Sequence, residues 1–206
     1  MSRVNLDVPY HDRNLVRQLG ARWDDVAHLW YVPEDRDPSP FVAWLPASYH
    51  LNVRAPFYYI AETSHECARC VARTRAYAFL LPPGHAVLNV GDTEEDDTWD
   101  VGDEATLISF ITHLVPSVAD SVRRISPLYR LSQTLQDPTG FWYNHCERCG
   151  WMLSERRLFE EPGAGFLAFT EQDAARISLL RVDAGFAACA QSYSYGVPLL
   201  EFMRLR

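Results

Sequence analysis

Two pairs of cysteines constrain the fold of this chain more than any other feature of its sequence. Cys67 and Cys70 form one C-x-x-C motif, and Cys146 and Cys149 form a second. Zinc takes four soft ligands in a tetrahedron, and two thiolates separated by two residues can face one ion across a tight turn. The two motifs together predict one structural Zn²⁺ site with four cysteine ligands and no position left for water.

The spacing of the motifs indicates how this site is built into the chain. The 75 residues between them are more than a simple zinc ribbon needs, but lengthening a loop costs free energy only logarithmically. Gly150 follows the second motif and suits a left-handed turn residue, whereas Val71 occupies the same place after the first. We expect two zinc-knuckle hairpins separated by an inserted subdomain, the first knuckle being slightly weaker.

Other uses of the cysteines remain open from the sequence. A redox dithiol needs a C-x-x-C between a strand and a helix, but both motifs have strand-like residues on each side. Two disulfides would need an oxidising compartment. His65 or His145 could replace one cysteine as a ligand, or each could orient its knuckle. Cys189 lies in an alanine-rich run and is interpreted as a small core residue.

The composition predicts a folded globule. Of the 206 residues, 48% are hydrophobic and 13% are aromatic, which is enough to bury a substantial core. The chain has no run of 18 apolar residues that could span a membrane, and Met1–Asp7 lacks the apolar stretch of a signal peptide. We therefore expect a cytoplasmic protein with no membrane partner.

The net charge of −8 is concentrated in one segment. Residues 92–104 carry eight acids and no base, and the sequence has no basic stripe of the kind that contacts phosphate backbones. A local negative field speeds encounter with a cationic partner, and desolvated aromatic rings anchor interfaces. The segment is therefore a candidate surface for a basic protein partner such as a toxin. Its candidate contact residues are Asp96, Asp97, Trp99 and Asp100.

Hydrophobic periodicity predicts an α+β fold with two domains. Residues 1–50 are predicted to form a small βαββα module, whose first helix begins after Asp12 and ends at Gly20. Residues 51–206 are predicted to form a zinc-ribbon β domain, on which the first module packs. The two cysteine motifs belong to this second domain.

An acidic and helical insertion, residues 92–138, is predicted to interrupt the zinc-ribbon domain. Apolar residues recur at helical spacing from Leu107 to Val115, with Asp103 as a plausible helix cap. Pro116 and Pro127 are expected to divide the region into two or three short helices.

Four short motifs in the first 46 residues resemble a known family. They are Val8-Pro9-Tyr10, Leu19-Gly20-Ala21-Arg22-Trp23-Asp24, Trp30-Tyr31-Val32-Pro33 and Trp44-Leu45-Pro46. They are similar to a small uncharacterised module that is appended to plasmid primases, helicases and other mobile-element proteins. The resemblance, which covers residues 6–46, implies a possible association with nucleic acid, for which Arg22 and His28 are the candidate contacts. The remainder of the chain resembles uncharacterised bacterial zinc-ribbon proteins with four cysteines.

No catalytic constellation can be named from the sequence, so a non-enzymatic role is expected. The chain contains no phosphate-binding loop, no G-x-S-x-G and no H-E-x-x-H motif. A zinc-binding protein-interaction protein, for example an immunity or antitoxin protein, is the first hypothesis. A nucleic-acid-associated accessory protein of a mobile element or DNA-processing system is the alternative. The acidic charge balance favours the first.

Overall fold

The computed structural model describes residues 3–33, 35–36, 39–45, 51–90, 98–134, 140–161, 165–194 and 196–206. The chain divides into two compact units, Met1–His50 and Leu51–Arg206. The architecture is α+β, as predicted, with much sheet and few helices. Within the described ranges, no helix is long and apolar enough to cross a membrane.

In its described residues, the first unit is a three-stranded antiparallel sheet with the strand order β1-β3-β2 and one α-helix. A 3-10 helix precedes the α-helix and another follows the last strand, which gives the predicted βαββα order with a 3-10 helix at its end. The elements in chain order are β1 (Val4–Leu6), a 3-10 helix (Tyr10–Asp12), α1 (Arg13–Leu19), β2 (Arg22–Asp24), β3 (Leu29–Val32) and a 3-10 helix (Ser39–Trp44).

Helix α1 lies between Asp12 and Gly20, as the sequence predicted. Gly20 ends the helix in the expected way, but Asp12 does not cap it. Gly20 has a φ of +101°, and its N–H donates to Arg17 O, so it ends the helix as expected for a glycine. Asp12 directly precedes the helix, but its carboxylate makes no cap hydrogen bond. It instead accepts a hydrogen bond of 2.8 Å from the buried indole N–H of Trp44. Asp12 therefore joins the helix to the last 3-10 helix.

The second unit is built on a nine-stranded mixed sheet, and this count is made within the described residues. Its order is β14-β12-β5-β6-β9-β13-β4-β7-β8, and β10 and β11 form a separate hairpin. The strands are β4 (Val53–Ala55), β5 (Tyr58–Glu66), β6 (Arg73–Leu81), β7 (Ala86–Asn89), β8 (Thr98–Val101), β9 (Thr106–Leu114), β10 (Tyr129–Ser132), β11 (Phe141–Asn144), β12 (Ser178–Val182), β13 (Phe186–Tyr193) and β14 (Arg204–Leu205). The helices are α2 (Pro116–Ile125), α3 (Glu155–Phe159), α4 (Glu171–Ala174) and a 3-10 helix (Leu200–Phe202).

Both faces of the large sheet are covered. Alternate residues of a strand point to opposite faces, and Tyr77 and Phe79 of β6 belong to one apolar cluster while Ala78 and Leu80 belong to another. Helix α2 and the β10–β11 hairpin contribute to the first cluster, through residues that include Val118. The cysteines, α3, α4 and the chain end contribute to the second. The cysteine motifs are thus part of a larger fold than a simple ribbon.

The helix predicted between Leu107 and Val115 is wrong, because all of these residues except Val115 belong to the central strand β9. A strand buried on both faces is apolar at nearly every position, so its sequence does not alternate and can imitate helical spacing. Two irregularities add to this effect. Its pairing with β13 shifts by one residue, and Phe110 has a φ of +52° with its N–H directed to Glu155 Oε2 at 3.2 Å.

A helix does occur in the inserted region, and it begins at the proline that was expected to break one. Pro116 is the first residue of α2, a position where the missing N–H of proline costs no hydrogen bond.

Trp151–Leu153 forms only one β-bridge, between His145 and Met152. Phe166–Phe169 does not form a strand. The acidic residues 92–97 lie outside the described residues.

The side chain of Asn144 substitutes for strand pairing between β11 and β6. Its Oδ1 accepts from Tyr77 N at 2.7 Å, and its Nδ2 donates to Tyr77 O at 2.9 Å. Asn144 is buried, with 2% of its surface exposed. A buried backbone amide left without a partner costs about 1–3 kcal/mol.

We predict that Asn144→Ala lowers the free energy of unfolding by about 2–4 kcal/mol, because it leaves both backbone groups of Tyr77 unpaired. The measurement is urea denaturation followed by tryptophan fluorescence. Asn89→Ala is the matched control, since Asn89 is exposed on β7, and we expect a change within about 0.5 kcal/mol. Equal stability losses in the two variants would contradict this role of Asn144.

Candidate metal centre

The first cysteine motif lies in the turn between β5 and β6. Val71 N donates to Cys67 O at 2.9 Å, and Cys67 N donates to Ala72 O at 3.0 Å. This closes a compact loop in which both cysteine side chains can face one point. Val71 adopts a φ of +59°, a left-handed conformation that a β-branched residue rarely takes. The weakness that the sequence suggested for this knuckle is therefore a backbone strain at Val71.

The second motif repeats the first in its backbone hydrogen bonds. Gly150 N donates to Cys146 O at 2.9 Å, and Cys146 N donates to Trp151 O at 2.8 Å. Gly150 has a φ of +68° and corresponds to Val71 in the first motif. The two motifs are the same local structure made twice, as the shared spacing and the glycine predicted.

The four sulfur atoms form one cluster. They lie within 4.8 Å of one another, and no other group of three or more His, Cys, Asp or Glu ligand atoms could hold a metal ion among the described residues. The Sγ atoms of Cys67 and Cys149 are 3.7 Å apart, and so are those of Cys70 and Cys146. A tetrahedron with metal–sulfur bonds of about 2.3 Å has sulfur–sulfur edges of about 3.8 Å. The cluster has the size of a metal site with four thiolate ligands.

The electrostatics of the cluster also call for a cation. Burial raises the pKa of Cys146, but the backbone N–H groups of Cys149 and Arg148 outweigh it and lower the pKa to about 6. For Cys149 the N–H of Trp151 lowers the pKa, whereas burial and the other sulfurs raise it to about 11. Four thiolates this close repel one another, and a bound divalent cation removes that repulsion.

Side chains that the sequence analysis did not single out hold the two knuckles together. Arg75, on β6, contacts Glu147 Oε1 through Nε at 2.8 Å and through Nη2 at 2.7 Å. Glu147 N donates to Thr74 Oγ1 at 3.0 Å. The guanidinium of Arg69 also lies 4.8 Å from the ring centre of Trp151. In the sequence, only the opposite charges of Glu147 and Arg75, which lie within and near the motifs, suggest a contact between them.

Neither histidine near the motifs belongs to the sulfur cluster. His145 Nδ1 lies 3.0 Å from Leu128 O, and its Nε2 lies 3.2 Å from Ser132 Oγ, so both nitrogens are engaged elsewhere. His65 is half-buried, and its pKa is lowered by burial and by the charge of Arg157. The four sulfurs already supply a complete tetrahedral set, so neither histidine is needed as a ligand. His145 orients its knuckle by anchoring it to the β10–β11 hairpin.

The candidate contacts for a basic partner are only partly visible. Asp96 and Asp97 lie outside the described residues. Trp99 and Asp100 lie on β8, the edge strand of the large sheet, and Asp100 is exposed. The ring of Trp99 is covered by the guanidinium of Arg54, 4.0 Å from the ring centre. The structure thus brings Trp99 to an arginine of this same chain.

The two candidate nucleic-acid contacts of the first unit are not brought together. Arg22 is opposite Tyr31 in the β2–β3 pairing, and the next residue, Trp23, is opposite Trp30. Because neighbouring residues of a strand point to opposite faces, Arg22 and Trp23 lie on different faces of the sheet. His28 lies beside Trp23, with ring centres 6.4 Å apart. The face that carries His28 therefore lacks Arg22.

An aromatic and basic surface does occupy the face of Trp23. Arg13 lies over Tyr10 at 4.5 Å and over Trp23 at 5.8 Å from the ring centres. Tyr10 is 80% exposed and Trp23 is 36% exposed. We call Tyr10, Arg13, Trp23 and His28 the aromatic face. Arg13 was missed because it lies ten residues before Trp23 in the sequence, and only the fold brings the two side chains together.

Comparisons with known proteins identify the first unit and not the second. Residues 3–46 match the family described as a domain of unknown function, DUF5710. Two relatives, both DNA primase TraC of Escherichia coli, are 48% and 43% identical to the chain over 42 residues. These matches cover 20% of this chain but only 4% and 3% of the primases. No solved structure matches the chain. The resemblance of residues 6–46 to a primase-associated module is confirmed, while the resemblance of the remainder to zinc-ribbon proteins stays a prediction.

Proposed function

We propose that this protein is a non-enzymatic accessory protein that binds single-stranded nucleic acid and is stabilised by a structural Zn²⁺ ion. The observation that carries the nucleic-acid role is the aromatic face, which lies within the segment that is similar to a DNA primase. Exposed rings stack with bases of any sequence, and arginine contributes phosphate contacts and cation–π contacts. The likeness covers a small part of the primases, so it supports association with DNA processing and no primase activity.

Zinc is the metal that best suits the sulfur cluster. A closed set of four thiolates from two knuckles is typical of structural zinc, and it leaves no open position for a substrate or for water. The ion would tie the turn after β5 to the segment after β11, so its binding energy would be part of the folding energy. This supports a stabilising rather than a catalytic role.

The alternative role, binding of a basic protein such as a toxin, stays a prediction. It depends on the acidic segment 92–104, and five of the eight acids in this segment lie outside the described residues. The contact between Arg54 and Trp99 gives the aromatic ring a partner within the chain. The described contacts therefore support the nucleic-acid role more strongly.

Replacing Val71 by glycine should stabilise the zinc-bound protein by about 1 kcal/mol. A left-handed conformation at a non-glycine residue costs about 1–3 kcal/mol, and the greater freedom of glycine in the unfolded chain offsets about 0.5–1 kcal/mol of the gain. Val71 is 69% exposed, so little packing is lost. Denaturation midpoints measured with excess zinc give the result.

Gly150→Val is the reciprocal variant, and it should destabilise by a similar or larger amount. A Cβ at Gly150 meets no atom within 4 Å, so the effect reports the backbone alone. If both variants match the unsubstituted protein, the left-handed turns in the two knuckles are not formed as described.

The nucleic-acid role predicts that the double variant Tyr10→Ala/Arg13→Gln binds a fluorescent single-stranded oligodeoxynucleotide about tenfold more weakly at about 50 mM salt. Loss of one stacking ring and one phosphate contact accounts for this change, and the slope of log K against log salt should fall by about 0.7. Arg130→Gln is the charge-matched control, because Arg130 is exposed on β10 in the second unit. An unsubstituted protein that shows no binding at this salt concentration would rule the role out.

A further inference from the structure

A groove in the second unit is lined by residues of four neighbouring strands at one side of the large sheet, β14, β12, β5 and β6. It comprises two adjoining depressions of about 310 and 570 Å³ that share four lining residues. The shared residues are Thr63, Ser64, Arg176 and Arg204. We call it the arginine groove.

The arginine groove is positively charged although the chain is acidic. Its walls carry five arginines and three carboxylates, a net charge of +2, against −8 for the whole chain. The arginines are Arg73, Arg75, Arg176, Arg204 and Arg206, and the carboxylates are Glu62, Glu66 and Asp173.

Strand pairing gathers these arginines from distant parts of the sequence. Arg204 of β14 is opposite Ser178 of β12, which is in turn opposite Glu62 of β5. On the other side of β5, Ser64 is opposite Arg75 of β6. The turn after α4 supplies Arg176, which is exposed. The groove therefore exists only in the folded sheet, and no run of basic residues in the sequence predicts it.

Two of the five arginines have no ion pair among the described residues. Arg206 pairs with Glu62 at 3.0 Å and Arg176 with Asp173 at 3.5 Å, while Arg75 pairs with Glu147 outside the groove. Arg73 and Arg204 make no such pair, and both are exposed. Their guanidinium groups are thus available for an anionic ligand.

Uncharged groups in the walls suit a nucleic-acid strand in particular. The exposed hydroxyl of Ser64 lies between the arginines and can donate to a phosphate oxygen. Phe169 lines the wider depression and is 66% exposed, so its ring can stack on a base. A small inorganic anion would use the arginines but not an exposed ring of this kind.

We propose that the arginine groove binds the phosphate backbone of a single-stranded nucleic acid, with Phe169 stacking on one base. The inference takes the class of ligand from the proposed function, but it concerns residues of the second unit alone. The protein would then bind single-stranded nucleic acid through two surfaces, the aromatic face in the first unit and the arginine groove in the second.

The test is the salt dependence of oligodeoxynucleotide binding by full-length, zinc-loaded Arg73→Gln/Arg204→Gln. We expect about a tenfold weaker affinity at about 50 mM salt and a slope of log K against log salt reduced by about 1.4, because each arginine that contacts single-stranded phosphate contributes about 0.7. Phe169→Ala should weaken binding with no change in slope. The charge-matched control is Arg124→Gln/Arg130→Gln, in which two exposed arginines outside the groove are neutralised.

The outcomes separate this inference from the function proposed above. If the groove variant binds like its control while Tyr10→Ala/Arg13→Gln binds weakly, the groove inference is wrong and the aromatic face stands. If the groove variant is weakened and the aromatic-face variant is not, the groove stands and the role of the first unit is wrong. If the unsubstituted protein does not bind, both are wrong.

Discussion

The convergence of four cysteine sulfurs is the interaction on which the second unit depends. The two knuckles contribute two ligands each, and they are separated by 75 residues that include the central strand β9 and the helix α2. An ion held by both knuckles would join the two ends of that insertion. The insertion can be long because the entropic cost of closing a loop grows only logarithmically with its length. Cys67 and Cys146 are also fully buried in an apolar cluster, so the metal centre and the sheet core are one structure.

The sequence predicted the four-cysteine cluster because each half of the cluster is a local turn. A C-x-x-C spacing and a following left-handed residue are properties of five consecutive residues, and Gly150 indicates the turn directly. Asn144 and Glu147 could not be assigned in the same way, since their partners Tyr77 and Arg75 lie on another strand. Such contacts follow from strand packing, which spacing alone does not encode.

Strand β9 shows a second limit of sequence patterns. Its apolar residues face both sides of the sheet, and its bulge and the positive φ of Phe110 disturb the two-residue alternation that identifies a strand. The first helix of the first unit was easier to predict, because Gly20 marks its end by local chemistry. The sequence therefore predicted the α+β class and the small module, but not the extent of the large sheet.

The distribution of charge on the folded surface was the property that the sequence predicted least well. The acids cluster in one segment and are conspicuous, while the arginines of the groove come from β6, from the turn after α4 and from the last three residues, and they meet only in the folded state. In the same way, Arg13 reaches Trp23 only because α1 packs beside β2. Net charge and the absence of a basic run are thus weak guides to whether a folded surface can receive phosphate.

Metal analysis combined with X-ray absorption at the zinc edge tests the central claim most directly. Freshly purified, reduced protein should contain one zinc ion per chain, surrounded by four sulfur atoms at about 2.3 Å. A metal content well below one per chain, or a nitrogen or oxygen atom in the ligand shell, would contradict a closed site formed by Cys67, Cys70, Cys146 and Cys149.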